Sequence, residues 1–184
     1  WYAADPERDR PSESDIADAI GRVGYERVRL APDAIELPSG AALTLNGIAQ
    51  GHITDRATAL LREAGFRHVL VDLGETSAID ARADGAAWRV ALPDGSRIGL
   101  ADCALATSSG GATRLARNGD HHIFDPTTGR PANHWRWLSV AHRSATVADA
   151  LSTGLYCLPP PQAIAAARAS HGVRLWGETA NGEG

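Results

Sequence analysis

Turn residues at short, irregular intervals constrain this chain more than any other feature of its sequence. Its 19 Gly and 10 Pro cut 184 residues into short runs. None approaches the ~18 consecutive apolar residues of a membrane-spanning helix. What remains between the breaks alternates between two periods. Ser12-Glu13-Ser14-Asp15 can cap a helix that continues through Ile16, Ala19, Ile20 and Val23 and stops at Gly24. Short β-like runs follow at 27–30 and 34–37 around the Pro32-Asp33 turn, with another at 41–45 broken by Asn46-Gly47. Ile48, Ile53, Ala57, Leu60, Leu61 and Ala64 trace one face of a helix that ends at Gly65. The nearly continuous apolar run 68–73 suits a strand covered on both faces.

The second half reads the same way. Runs 88–92 and 97–100, joined by Pro93-Asp94-Gly95, predict a hairpin, and 104–107 a short strand entering the Ser108-Ser109-Gly110-Gly111 loop. A strand is expected at 138–141 and a helix at 147–158, stopped by Pro159-Pro160-Pro161. A further helix over 162–170 and a strand over 173–176 precede a turn at Asn181-Gly182-Glu183-Gly184. Grouped strands with helices between them predict an α+β fold with a mixed, largely antiparallel sheet packed by helices. A chain of this length corresponds to one domain, and no repeat or low-complexity segment divides it.

Charge and cysteine set weaker bounds. With 18 basic residues, all Arg, against 22 acidic ones, the net charge of -4 leaves no basic footprint for nucleic acid. Cys103 and Cys157 lack metal spacing; they either pair in an oxidising compartment or stay as buried thiols, the expectation preferred here. The chain contains no Met and begins Trp1-Tyr2-Ala3-Ala4. A removed leader or a piece of a longer protein would each explain that, and no charged segment followed by an apolar one remains at the front.

Three segments can carry chemistry. In Asn46-Gly47-Ile48-Ala49-Gln50-Gly51-His52, two glycines at a strand-to-helix junction either present backbone N–H groups to an anion or merely allow a tight turn and close helix packing. In Asp149-Ala150-Leu151-Ser152-Thr153, Asp149 and Thr153 share one helix face with Ser152 beside it. A carboxylate and a hydroxyl so placed can hold a hard cation; the alternative is an Asp capping its own helix and a Thr bonding back to the backbone. In His121-His122-Ile123-Phe124-Asp125-Pro126-Thr127-Thr128-Gly129, an Asx-turn at Asp125 can hold a histidine in place as a general base, or both histidines are ordinary surface groups. The Ser108–Gly111 loop reads as either a phosphate cradle or simple loop chemistry.

The order of these segments is more specific than any one of them. Gly47-Ile48-Ala49-Gln50-Gly51 with Asp55, Leu70-Val71-Asp72-Leu73-Gly74, Ala106-Thr107-Ser108, His122-x-x-Asp125-Pro126-x-Thr128-Gly129-Arg130-Pro131 and Ala148-Asp149-Ala150-Leu151-Ser152-Thr153 follow one another. This succession resembles the ApbE family of flavin transferases, the FAD:protein FMN transferases, from about Pro11 to Trp176. The resemblance implies an ApbE-like domain over 1–184 that lacks the N-terminal part of the family domain, which contributes to the FAD pocket. It implies Mg²⁺-dependent cleavage of FAD and transfer of FMN to a Thr or Ser hydroxyl of an acceptor protein, with release of AMP. By the same resemblance Asp149, Thr153 and the Gly47 carbonyl would bind Mg²⁺; Ser152, Phe124, Gln50 and Thr44 would lie in the FAD region; and His122 would be the base. The implied partner is a respiratory or electron-transfer protein, and the implied location the outer side of the bacterial cytoplasmic membrane.

The sequence departs from the family pattern in four places. Thr44-Leu45 stands for the usual Asp-Leu, which removes a carboxylate. Gln50 stands at a usual Lys or Glu, Glu75 at the second Gly of Leu-Gly-Gly, and Ser109 at the Gly of Ser-Gly. Loss of a charged ligand weakens a hard-cation site. A non-catalytic FAD-binding protein and a Mg²⁺-dependent FAD hydrolase are therefore the competing expectations.

Overall fold

The computed structural model describes residues 11–112 and 120–182. In chain order these form α1 (Glu13–Ile20), β1 (Arg29–Leu30), β2 (Ile35–Glu36), α2 (Ala49–Glu63), β3 (Val69–Asp72), β4 (Thr76–Ile79), β5 (Trp88–Ala91), β6 (Arg97–Leu100) and β7 (Ala104–Ser108). They continue with β8 (Phe124–Asp125), β9 (Arg130–Pro131), β10 (Trp135–His142), α3 (Ala145–Tyr156), α4 (Pro160–Ala169) and β11 (Arg174–Thr179). The expected α+β class is observed. The largely antiparallel sheet is observed too: every described strand pairing is antiparallel.

The central sheet has five strands in the order β11-β10-β7-β4-β3. Helices α3 and α4 cover one face, where Leu138, Val140 and Ala106 meet Ala148, Leu155, Tyr156 and Ala163. The β5–β6 hairpin covers the other, where Trp137, Ala141 and Leu105 meet Leu92 and Leu100. A register irregularity between Trp135 and Trp137 puts Trp135 on the helix side with Leu138 and Val140, although strict alternation would send it to the hairpin side. That break hid the first part of the strand, whose expected start was Leu138.

Other expectations need correction. Run 68–73 yields β3, a sheet-edge strand that is only partly buried, whereas β7 and β10 are covered on both faces. Residues 41–45 form no strand, because Leu43 and Leu45 lie in the open and Thr44 turns back locally to accept a hydrogen bond from Asn46 N at 3.3 Å. The three prolines both end one helix and begin the next, since Pro160 and Pro161 occupy the first turn of α4, where a missing N–H costs nothing. The turn near 181 is seen to Gly182, whose N–H donates to Thr179 O; Glu183 and Gly184 lie outside the described residues. Both cysteines are free thiols, half-buried rather than buried. No helix among the described residues is long and apolar enough to cross a membrane.

Candidate functional site

The site grows out of the junction between α2 and α3. The residues of α2 that are buried are Gly51, Thr54 and Thr58, while Ile53 and Leu60 face outward, so the apolar face expected from the sequence is not the packed one. Close approach decides this. A Cβ on Gly51 would stand 2.4 Å from Ala145 O and 2.7 Å from Asp149 Cβ, so only glycine lets the helices meet here. One turn earlier, a Cβ on Gly47 would stand 3.3 Å from Thr153 Cγ2 and 3.5 Å from its Oγ1.

Asp149 does not cap its own helix. Its Oδ2 accepts from Gly51 N at 2.9 Å, across 98 residues of sequence, and so caps α2, whose own N-cap residue, Ile48, offers no side-chain acceptor. The carboxyl is buried, at 5% exposure, and burial raises its pKa while the Gly51 amide opposes that rise. Next to it lies a hydroxyl cluster. Ser108 Oγ is 2.9 Å from Ser152 Oγ and 3.3 Å from Thr153 Oγ1, and Ser152 Oγ donates to Asp149 O at 3.0 Å. Ser108 thus joins the predicted Ser152 and Thr153, which its place in Ala106-Thr107-Ser108 could have signalled.

Glu75 is a second buried carboxyl, 6% exposed, on the loop entering β4. Burial first, and then the Asp149 charge, push its pKa up to about 8; the Thr107 amide opposes this, and the Asp72 charge adds a smaller push. The preceding Gly74 has φ +101, and a Cβ there would stand 2.6 Å from Gln50 Nε2, so the exposed Gln50 side chain lies over this loop. Sequence reasoning registered Glu75 as a departure from the pattern without placing it beside Asp149. Thr44, by contrast, is exposed and among the described residues has only its local turn with Asn46.

The two histidines separate. His121 is buried: its Nε2 lies 3.0 Å from Ala132 O and its Nδ1 3.3 Å from Ile123 N, contacts that one neutral tautomer satisfies, with Nε2–H as donor. Its ring meets Tyr156 edge-on at 6.0 Å and leaves no room for a Cβ on Gly110. Tyr156 in turn accepts from Gly110 N at 3.0 Å and donates to Trp135 O at 2.7 Å. His122, the next residue, is exposed. The turn beyond it is the expected Asx-turn, with Asp125 Oδ1 accepting from Thr127 N at 2.8 Å and Thr127 Oγ1 at 2.6 Å; these bonds hold the Asp125 carboxyl below its usual range. Cys157 Sγ, 3.5 Å from both Phe124 O and Thr153 O, links this turn to α3. A cavity of about 780 Å³ between α1 and residues 120–131 includes Phe124, Ile16, Ile20 and Arg130 but none of Gly47, Asp149 and Thr153.

Taken together, Gly47 packs against Thr153, Asp149 and Ser152 flank that contact, and Gln50 covers the Glu75 loop. The groups that the resemblance would assign to a cation are the Asp149 carboxylate, the Thr153 hydroxyl and the Gly47 carbonyl. Among the described residues no group of three His, Cys, Asp or Glu side chains is placed to hold a metal. An all-oxygen set of low charge suits Mg²⁺, which keeps waters and takes phosphate oxygens as its remaining ligands.

The family model described as the ApbE family matches residues 1–176. The chain belongs to the ApbE family. Among curated ApbE-type relatives, the FAD:protein FMN transferase of Treponema pallidum is 29% identical over 191 residues, covering 89% of this chain and 53% of the relative. That of Vibrio cholerae is 33% identical over 139 residues, covering 68% and 41%. The apo flavinyl transferase ApbE of Pseudomonas stutzeri superposes with a TM-score of 0.78 at 28% identity, over 91% of this chain and 55% of that one. The ApbE protein of Thermotoga maritima gives 0.84 at 26%, over 95% and 61%. The chain thus spans about half the length of the curated ApbE relatives it matches.

Proposed function

We propose that this chain carries the cation and flavin-phosphate centre of an FAD:protein FMN transferase, acting on a Thr or Ser hydroxyl of an acceptor protein. One observation supports the reading: at the α2–α3 junction Gly47 lies against the Thr153 side chain and the Gly51 amide donates to Asp149, so segments about a hundred residues apart meet there. Gly47 with Thr153 and Asp149 would hold Mg²⁺, which when bound neutralises pyrophosphate charge and favours departure of the nucleotide. The acceptor hydroxyl oxygen forms the new bond to the FMN phosphorus, the bridging P–O bond breaks, and AMP leaves. His122, which follows the buried His121, would take the hydroxyl proton. Ser152 and Ser108, whose hydroxyls lie 2.9 Å apart, would meet the flavin phosphate, and Phe124 and Gln50 would lie against the FAD. Thr44 would contribute no charge, and the acidic residue beside Asp149 is Glu75 instead. The proposed acceptor is an electron-transfer protein, and the proposed location the outer side of the bacterial cytoplasmic membrane; both follow from the family's usual role.

The test incubates the chain with FAD, Mg²⁺ and a peptide whose Thr is flanked by small residues. AMP together with a flavin-labelled peptide is the expected result. AMP without label would replace transfer by hydrolysis, and FAD retained without AMP would replace it by binding alone.

A further inference from the structure

The α2–α3 junction is held by polar groups rather than by apolar burial. The buried face of α2 consists of Gly51, Thr54 and Thr58, and the Thr54 and Thr58 hydroxyls have no hydrogen-bond partner among the described residues. Such a face supplies little hydrophobic attachment and nothing that fixes the sliding position of one helix along the other. The contacts that do so come at four-residue intervals. Gly47 meets Thr153, Gly51 meets Asp149, and Asp55 meets the start of α3.

That last contact is the densest. Asp55 Oδ2 accepts from Ser144 Oγ at 2.6 Å, Thr146 N at 2.9 Å and Thr146 Oγ1 at 2.7 Å, and Oδ1 accepts from Ala145 N at 2.7 Å. Ser144 also caps its own helix by accepting from Val147 N. The local cap of α3 is thus already filled, and Asp55 adds a second one from the neighbouring helix. The two helices cap each other: α3 lends Asp149 to the start of α2, and α2 lends Asp55 to the start of α3. Partial burial raises the Asp55 pKa, but the bonds from Ser144, Thr146 and Ala145 outweigh it and keep the carboxyl below the usual range, so the clamp stays charged at neutral pH.

We infer that Asp55 is a positioning residue: its carboxylate sets the register of α3 on α2 and thereby brings Asp149 and Thr153 to Gly47 as one oxygen-donor set. This rests on the function proposed above for that set, but its structural half can be read without metal or flavin. The probe is the Gly51 amide, which donates to Asp149 and so reports the register directly.

Native-state hydrogen exchange is followed at Gly51 and at Val140, in the middle of β10, for the wild-type chain and for Asp55→Asn. Asn remains a competent cap, so the helix survives while the charged clamp is lost. The expected result is a loss of Gly51 protection of about tenfold or more with a smaller change at Val140. Equal losses at both, or none at Gly51, would make Asp55 a general stabiliser and overturn the inference. Mn²⁺ binding in the presence of FAD is then measured by electron paramagnetic resonance. Asp55→Asn should weaken it about tenfold or more, and Asp55→Glu, which keeps the charge, should recover part of the loss. Wild-type Mn²⁺ affinity in Asp55→Asn would overturn the positioning role. A wild-type chain that takes up no Mn²⁺ with FAD would bring down the proposed function and the catalytic meaning of the clamp, while the exchange result would still report the register.

Discussion

A methyl group at Gly51 tests the helix junction at its tightest point. In Gly51→Ala the new Cβ would lie 2.4 Å from Ala145 O, 2.7 Å from Ala145 C and 2.7 Å from Asp149 Cβ. Carbon atoms in ordinary contact sit at ~3.5 Å or more, and none of these three atoms can rotate away. The helices must separate by roughly 1 Å, an overpacking cost of about 1–3 kcal/mol. Separation also lengthens the 2.9 Å bond from Gly51 N to the buried Asp149 carboxylate, worth about 1.5–3 kcal/mol for a charged acceptor. Against this, Ala gains up to about 1 kcal/mol of helix propensity over Gly. The steric and polar terms win, by about 2–5 kcal/mol. For a chain of this size each kcal/mol moves Tm by roughly 2–4 °C, so the variant should melt roughly 5–15 °C lower. Thermal unfolding followed by circular dichroism reads this directly. A variant as stable as the wild type, or more stable, would show that propensity prevails and that the helices are not in the contact described.

Two further outcomes follow from the site. The Glu75 carboxyl has its pKa raised to about 8 from an ordinary value near 4.5, so the folded state favours its protonated form. That contribution is complete below about pH 4.5 and is lost as pH rises toward 8, on the order of a few kcal/mol in all. Glu75→Gln should therefore gain stability relative to the wild type between pH 5 and pH 8 in urea unfolding without divalent cations; a constant difference would refute the assignment. His122→Ala should lose flavin labelling of an acceptor peptide by about a hundredfold or more while retaining its melting temperature. Labelling at the wild-type rate would remove His122 from the proton transfer.

Local signals made much of this architecture legible. Ser12 and Asp15 form the expected reciprocal cap, and the β5–β6 hairpin falls where its turn residues place it. The helix spacing of Asp149 and Thr153 put both on the face that meets α2. What escaped depended on distant partners. The short strand β4 carries Thr-Ser-Ala-Ile, with neither alternation nor bulky β-branched density to mark it, and is a strand because β3 and β7 flank it. The helical periodicity of α2 correctly gave a helix but misplaced its packed face, since Gly51 permits an approach that Ile53 and Leu60 would prevent. The Asp55 clamp reaches about ninety residues along the chain, beyond any local pattern. Glu75 shows the same limit: a departure from a motif says nothing of the Asp149 charge that faces it until the fold is known.

Asp149, set against the start of α2, is proposed to help hold the cation used in flavin transfer. The initial rate of flavin-labelled peptide formation, measured across a Mg²⁺ titration for the wild type and Asp149→Asn, tests it most directly. Saturable, Mg²⁺-dependent labelling by the wild type is expected, with at least about tenfold more Mg²⁺ required by the variant. Labelling by the wild type that ignores Mg²⁺, or a variant that titrates as the wild type does, would contradict it.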